Sequence, residues 1–298
     1  MANLFVEFAV KREQLRLRKE AGLPREEWTQ DEILRHFRFT NVRRRDDRVS
    51  QWLLGNVLQN TSWLTNAGPV AWDNFLLFTA LCRWVNWPPT IIELMRANYY
   101  PSKAPIDWKA VGKLIDARKA RGEKAWTGAY MVRAKPGHKK GKGNFVAVEV
   151  VQKSLGRNLE KVKAAIFVPG RTKRGVWEVL ASCKNYGSFM AGQIVDDWSW
   201  TPLLAGVPDQ YTWAPQGPGS VKGLNRLLGL PKNTRWKEAD WSAKLIELRS
   251  EIVAALGPNY NDLTLHDVQN VCCEFFKYQK VKDGLGRPRA RYVPETAY

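Results

Sequence analysis

The segment from Arg38 to Leu53, RFTNVRRRDDRVSQWL, combines charged side chains with apolar residues spaced for burial. On a helix over about 43–60, four of its polar residues would form one stripe at positions i, i+3, i+4 and i+7: Arg44, Asp47, Arg48 and Gln51. Arginines grip phosphate oxygens in a bidentate manner, and a neighbouring carboxylate fixes their orientation. The stripe therefore predicts a phosphate-binding surface. An exposed ladder of salt bridges, which would add little stability, is the alternative that spacing leaves open.

A second candidate is the glycine-rich segment PQGPGSVKGL, which runs from Pro215 to Leu224. Gly217 and Gly219 flank a proline just before a helix that we predict over 219–228. Backbone N–H groups at such a turn and helix start can hold a phosphate, as in helix-hairpin-helix DNA-binding proteins. Lys222 adds a cation one turn into the helix. A simple turn with no ligand is the alternative.

A third candidate is LTLHDVQNVCCEFFKYQK, residues 263–280, which has the pattern of an amphipathic helix over 264–281. Its polar residues include Gln269 and a stripe at positions i, i+4, i+7 and i+8: Asn270, Glu274, Lys277 and Tyr278. A group of glutamate, lysine and tyrosine can transfer protons or hold phosphate. A solvated helix face is the alternative. Asp196 and Asp197, at the end of another predicted helix, are further carboxylates that could activate an amine or a water molecule.

The composition indicates the class of partner. The 298 residues contain 47 Lys and Arg against 29 Asp and Glu, so the formal charge is +18 and a polyanion, nucleic acid first, is the expected partner. The four cysteines form no C-x-x-C pair and the three histidines lie far apart, so we expect no metal or other cofactor in the protein and a reducing compartment. The sequence shows no secretory signal and no apolar run of membrane-spanning length. We therefore expect a cytoplasmic protein with no membrane partner.

Helical spacing dominates the chain and predicts a mainly α fold, a compact multi-helix globule forming a single domain over 1–298. Two lobes, 1–133 and 145–281, would be parted by a basic loop at 134–144, and a basic tail would follow at 282–298. The run FVAVEVVQ allows at most a small β element near 145–152, although a helix fits it as well. The glycine-rich segment would form a helix-hairpin-helix element like that of DNA glycosylases.

The three segments, in this order, resemble the helical domain of the 5-hydroxymethyluracil DNA kinase and α-glutamyl/putrescinyl-thymine pyrophosphorylase superfamily. The resemblance runs from about residue 5 to residue 281. This superfamily occurs in bacteriophages and other genomes with hypermodified bases, which implies the cytoplasm of an infected bacterium. It also implies a chemistry in which 5-hydroxymethyluracil in DNA is activated by phosphorylation at its hydroxyl. An amine, from an amino acid or a polyamine, then displaces phosphate or pyrophosphate to give a hypermodified thymine.

The chain contains no G-x-x-x-x-G-K-[ST] phosphate-binding loop, so the resemblance implies the transferase step rather than the ATP-using kinase step. The implied partners are DNA with a modified pyrimidine, an amino acid or polyamine, and a 5-hydroxymethyluracil DNA kinase. Mg²⁺ would arrive only with the pyrophosphate. Two alternatives stay open. One is a helix-hairpin-helix glycosylase or lyase with Lys222 as the attacking amine. The other is a non-catalytic DNA-binding module that accompanies a kinase.

The resemblance implies a role for residues in each of the three segments. The matching residues are Asn41, Arg44, Asp47, Arg48 and Gln51 in the first, Gly217, Gly219 and Gly223 in the second, and Gln269, Asn270, Glu274, Lys277 and Tyr278 in the third. Arg44 and Arg48 are expected to hold the leaving group. Asp47 or Glu274 is expected to deprotonate the amine, and the remaining residues with Lys222 to bind substrate or DNA. Phe276 departs from the family pattern, which has an acidic residue there.

Overall fold

The chain is mainly helical in the parts that the computed structural model describes, which are residues 2–59, 61–64, 66–127 and 141–286. No strand occurs in these ranges, and the prediction of a mainly α fold is confirmed. The α-helices, in chain order, are α1 (Ala2–Glu20), α2 (Glu32–His36), α3 (Arg48–Leu53), α4 (Gly68–Val85), α5 (Pro88–Arg96), α6 (Trp108–Ala120), α7 (Gly141–Asn144), α8 (Leu159–Phe167), α9 (Lys173–Ser182), α10 (Gly187–Ser199), α11 (Pro218–Leu227), α12 (Glu238–Leu256) and α13 (Leu265–Lys282). No helix in these ranges has the length and apolarity needed to cross a bilayer.

Of the two alternatives that the sequence allows at 145–152, a small β element or a helix, the structure has the helix: Phe145–Leu155 continues α7 as a π-helical segment. Eight of its eleven residues are buried, whereas Gln152 and Lys153 near its end are exposed. The run from Phe145 to Val151 contains a single polar residue, Glu149, so its valine-rich sequence cannot be distinguished from a buried strand by periodicity. Of the predicted basic loop at 134–144, residues 134–140 lie outside the described residues, and residues 141–144 form α7. Of the predicted basic tail at 282–298, residues 287–298 lie outside the described residues.

The chain forms two compact units, and they are not the predicted lobes. The first unit contains the described residues of 2–47 and 208–286, and the second contains those of 48–207. The division therefore runs through the charged segment, between Asp47 and Arg48.

In the first unit, α13 is the central helix and packs against α1, α2, α11 and α12. Phe5 and Phe8 of α1 place their rings edge-on against Phe275, with centroids 5.5 and 5.8 Å away. Edge-to-face pairs of this kind add to the free energy gained from burying the rings. From α12, Trp241 and Leu245 complete this core, and both are fully buried.

The glycine-rich segment lets α11 approach α13 closely. A Cβ atom on Gly223 would lie 2.0 Å from the carbonyl oxygen of Cys272, and one on Gly219 would lie 2.4 Å from Cys273 Sγ. At Gly217 the backbone N–H donates to Ser220 Oγ at 3.1 Å, so this amide is already satisfied within the protein. The structure thus gives the glycines a packing role, and their likeness to a helix-hairpin-helix stays a prediction.

The second unit buries two ion pairs between helices. Arg83 of α4 binds Asp197 of α10 through Nε at 2.6 Å and Nη2 at 2.5 Å. Lys173 of α9 binds Asp196 at 2.8 Å, and none of these four side chains is more than 2% exposed. Removing one partner of such a pair leaves a buried charge without compensation, which is strongly destabilising. The two aspartates, predicted as possible activators of an amine or water, therefore hold the core of this unit together.

We expect Gly223→Ala to destabilise the protein by about 1–3 kcal/mol or more, because the new methyl group would force α11 away from the α13 backbone. Thermal unfolding followed by circular dichroism measures the effect. Gly55→Ala is the control, since no atom lies within 4 Å of the position a Cβ would take there. Equal melting temperatures for the two variants would contradict this account of the glycine-rich segment.

Candidate functional site

The charged segment is not one helix, and the prediction of a helix over 43–60 is wrong at its start. Arg44–Asp46 is a short 3₁₀ turn, Asp47 is extended, and α3 begins at Arg48. Two aspartate side chains accept from backbone amides at the start of this segment. Arg44 N–H donates to Asp267 Oδ1 at 2.8 Å, and the Asp47 carboxylate turns back to accept from Asn41 N–H at 2.8 Å. The bond from Asn41 to Asp47 is a local bond of the kind that competes with helix formation. Because Asp47 is extended between the 3₁₀ turn and α3, the predicted four-residue stripe does not form.

Two adjacent backbone amides hold two carboxylates beside each other. Thr40 N–H donates to Glu274 Oε2 at 3.1 Å, while the next amide, Asn41 N–H, binds Asp47. The negative charge of Glu274 contributes to raising the pKa of Asp47, as expected for neighbouring carboxylates. We call Asp47 and Glu274 the carboxylate pair. The sequence predicted both residues as acid–base candidates, and the structure brings them together.

Arg12 of α1 fixes the segment that carries these amides. Its Nε donates to Thr40 O at 3.0 Å, and its Nη2 donates to Phe39 O at 3.0 Å and to Asn41 Oδ1 at 2.6 Å. Nη1 is buried and has no hydrogen-bond partner among the described residues. Burial lowers the pKa of Arg12, and the charges of Asp47 and Glu274 oppose this. The guanidinium therefore supplies positive charge to the carboxylate pair.

Sequence reasoning missed Arg12, although the sequence contains a signal for it. Phe5, Phe8 and Leu15 define the buried stripe of α1, and Arg12 falls on that stripe, four residues after Phe8. A charged residue on the apolar stripe of a helix needs a buried partner. The many other cations of this helix conceal the signal.

Burial raises the pKa of Asp47 to about 6. The hydrogen bond from Asn41 N–H and the positive charges of Arg44 and Arg12 lower it, and the charge of Glu274 raises it further. A carboxyl group that titrates near neutral pH can both accept and release a proton under physiological conditions. Perturbed carboxyl groups beside fixed cations are typical of functional sites.

Polar side chains of α13 contact the carboxylate pair and the segment that holds it. Lys277 Nζ donates to Glu274 Oε2 at 2.7 Å and lies 4.6 Å from the centre of the Phe39 ring. Asn270 Nδ2 donates to Thr40 Oγ1 at 2.8 Å, which adds a second bond between α13 and the extended segment. Tyr278 lies further along the helix.

Tyr278 OH donates to Asp31 Oδ2 at 2.6 Å, and the other oxygen of Asp31 caps the start of α2 by accepting from Ile33 N–H and Leu34 N–H. Burial raises the pKa of Tyr278, so its hydroxyl stays protonated and able to donate. The observed bonds give Tyr278 an anchoring role.

The other predicted site residues lie in different surroundings. Arg44 is 3% exposed, and its charge lowers the pKa of Asp47. Arg48, half-buried, and Gln51, exposed, belong to α3 in the second unit.

Gln269 is buried and donates from Nε2 to Ser220 Oγ at 2.8 Å, within the contact between α11 and α13 that Gly217 and Gly219 permit. Lys222 on α11 is half-buried and forms no hydrogen bond or ion pair with the described residues. Contacts of these residues with substrate or DNA stay predictions.

No group of three or more His, Cys, Asp or Glu side chains in the described ranges is placed to hold a metal ion. The prediction that the protein holds no metal of its own is not tested by this finding.

Two comparisons found similarity to proteins described as 5-hmdU DNA kinases. The sequence model of the family described as "5-hmdU DNA kinase, helical domain" matches residues 1–285. A curated protein named 5-hmdU DNA kinase, from Bacillus phage SP10, is 24% identical over 267 residues, which cover 84% of this chain and 40% of that protein. The match thus spans two-fifths of the relative's length. No solved structure matches the chain.

We expect Asp47→Asn to change how stability depends on pH. The folded pKa of about 6 lies above the ordinary value of 3.8, so the folded state binds a proton that the unfolded state has released. The contribution of Asp47 to the free energy of unfolding is therefore greatest below about pH 4 and falls as the pH rises to about 6. The amide keeps the oxygen that accepts from Asn41 but carries no charge. The variant should be more stable at pH 7 by roughly 1–3 kcal/mol.

Urea unfolding at a series of pH values between about 4 and 8 measures this effect. Asp240→Asn, at an exposed aspartate in the first turn of α12, is the matched control and should leave the pH dependence unchanged. If Asp47→Asn and the parent protein lose stability equally between pH 4 and 6, Asp47 does not have the raised pKa.

Proposed function

The chain belongs to the family of the 5-hmdU DNA kinase helical domain, and on that premise we propose that it is a transferase acting on activated 5-hydroxymethyluracil in DNA. In this reaction an amine replaces phosphate or pyrophosphate on the base. The observation that carries the proposal is the carboxylate pair, in which Asp47 has a pKa of about 6 and lies beside fixed positive charges. The phage relative named 5-hmdU DNA kinase supports the choice of base.

The proposed role of Asp47 is that of general base. The amine nitrogen gives its proton to the Asp47 carboxylate and forms a bond to the methylene carbon of the base. The bond from that carbon to the phosphate oxygen breaks, and the leaving group departs with the electron pair. The negative charge of Glu274 raises the affinity of Asp47 for the proton. Direct displacement and elimination to a methide-like base are both compatible with this arrangement.

The leaving group is an anion and needs cations at the point where it departs. Lys277 bonds to Glu274 and exposes a third of its side chain, so we assign it the first contact with the phosphate. Arg44 is almost fully buried, and we assign it an indirect role through its charge on Asp47. Mg²⁺ would enter with the pyrophosphate. A phosphate contact by Arg48 stays a prediction.

A second candidate function is a DNA-binding module that presents modified DNA to a kinase. The match covers 40% of a longer relative named as a kinase, and the chain itself has no phosphate-binding loop. A formal charge of +18 suits DNA binding without any reaction. The two candidate functions predict different effects of replacing Asp47. For the transferase the change lowers turnover, and for the binding module it can alter only the affinity for DNA.

We expect the protein to form an amine adduct when it is incubated with pyrophosphorylated 5-hydroxymethyluracil DNA and a panel of amino acids and polyamines. Mass spectrometry of the released nucleosides detects the product. Asp47→Asn should lower the rate by about 100-fold or more, because the general base is lost, while DNA affinity is kept. The Asp240→Asn control should react at the parent rate.

The outcomes separate the candidate functions. If no amine gives an adduct while the pyrophosphate stays on the base, the transferase proposal is wrong, and retained DNA affinity would then favour the binding module. Borohydride can trap a covalent adduct between the protein and abasic DNA. If the parent protein gives this adduct and Lys222→Ala does not, the glycosylase or lyase is favoured.

A further inference from the structure

The second unit contains a cavity of about 350 Å³ that the carboxylate pair does not use. Its lining combines aromatic and aliphatic side chains with one arginine: Thr61, Leu64, Trp72, Phe75, Ile166, Phe167, Arg171, Thr201, Pro202 and Leu203. Sites for small molecules have volumes of about 300–1,000 Å³ and mostly apolar walls with a few polar groups. The cavity has the size and the composition of such a site.

Three aromatic rings shape one wall of this cavity. The Trp72 ring packs edge-to-face against Phe75 at 6.2 Å and against Phe167 at 5.8 Å, which fixes its orientation. Phe75 is fully buried, whereas Phe167 is 56% exposed at the end of α8. An indole held in one orientation at a partly open cavity is a surface on which a planar ring can stack.

Arg171 supplies the positive charge. Its Nε donates to Leu203 O at 2.7 Å, and this bond fixes the guanidinium. Its terminal nitrogens have no hydrogen bond or ion pair with the described residues. By contrast, Arg174 lies three residues later and pairs with Glu178 at 3.0 Å. A guanidinium that is anchored at Nε and otherwise unpaired is suited to a bidentate grip on phosphate.

Thr61 adds a group that can recognise a polar edge. Its hydroxyl forms no hydrogen bond with the described residues, whereas the other hydroxyl of the lining, Thr201 Oγ1, donates to Trp198 O at 2.7 Å. The unsatisfied polar groups of the lining are therefore one hydroxyl and one guanidinium, set among aromatic and aliphatic walls.

We propose that this cavity binds a nucleobase together with its phosphate. The base stacks on Trp72, the phosphate contacts Arg171, and the Thr61 hydroxyl bonds to the edge of the base. A free mononucleotide and an unpaired nucleotide of a DNA strand both offer this chemistry. The inference goes beyond the proposed transfer reaction and does not rest on it, because binding here is measured without turnover.

Isothermal titration with dTMP and with thymidine tests the proposal. We expect Arg171→Gln to weaken dTMP binding by about tenfold or more, and to leave thymidine binding unchanged because thymidine has no phosphate. We expect Trp72→Leu to weaken the binding of both ligands by about fivefold or more. Arg174→Gln is the matched control and should bind both ligands as the parent protein does.

The same variants are then titrated into a labelled single strand of about ten thymidylates, followed by fluorescence anisotropy. Loss of affinity in the variants for dTMP identifies the free nucleotide as a ligand, and loss for the strand alone identifies DNA. Thr61→Val removes no hydrogen bond within the described residues, so it keeps the test valid if the other variants fold poorly. Thermal unfolding of each variant shows whether it is folded. The proposal is overturned if neither ligand binds, or if Trp72→Leu, Arg171→Gln and Thr61→Val all bind both ligands as tightly as the parent protein.

Discussion

Two successive amides, those of Thr40 and Asn41, are the constraint on which the candidate site depends. Each amide donates to a different carboxylate, which ties Glu274 and Asp47 to neighbouring residues of the backbone. Two like charges beside each other repel, and burial adds to the cost of keeping Asp47 ionised. Arg12 offsets this cost through its charge and also fixes the amides by binding the carbonyl oxygens of Phe39 and Thr40. The same contacts therefore determine both the geometry and the electrostatics of the pair.

Helix α13 supports this arrangement because its two sides have different tasks. One side packs closely on α11, where the absence of side chains at Gly219 and Gly223 removes the steric barrier. The other side carries Asn270, Glu274 and Lys277 toward the extended segment. Because α11 packs directly against the backbone of α13 on one side, α13 has little freedom to shift. Polar groups on its other side are then positioned by packing and not only by their own bonds, which is what a preorganised site requires.

The sequence predicts the regular parts of the fold well. Predicted helices over 238–256 and 264–281 are observed as Glu238–Leu256 and Leu265–Lys282, since both have one apolar face and clear ends. The prediction fails where side chains bind backbone amides, as at Asp47 and Asp267, because neither the turn-forming bond from Asn41 to Asp47 nor the bond from Arg44 to the distant Asp267 has a periodic signature. Arg12 does have a signal, its place on the apolar stripe of α1, but the other cations of that helix conceal it. Glu274 and Lys277 were found because they share a helix face, but their position beside Asp47 required the structure.

The bond from Arg44 N–H to Asp267 joins residues 223 positions apart, and that from Thr40 N–H to Glu274 spans 234. The first unit is therefore assembled from two segments on either side of residues 48–207, whereas the second unit is that one continuous stretch. Closing a loop costs entropy that rises with its length, and contacts of high sequence separation slow folding. On the ribosome, residues 48–207 are complete while half of the carboxylate pair has not yet been synthesised. The pair of acid–base groups can thus form only after all of residues 48–207 has been synthesised.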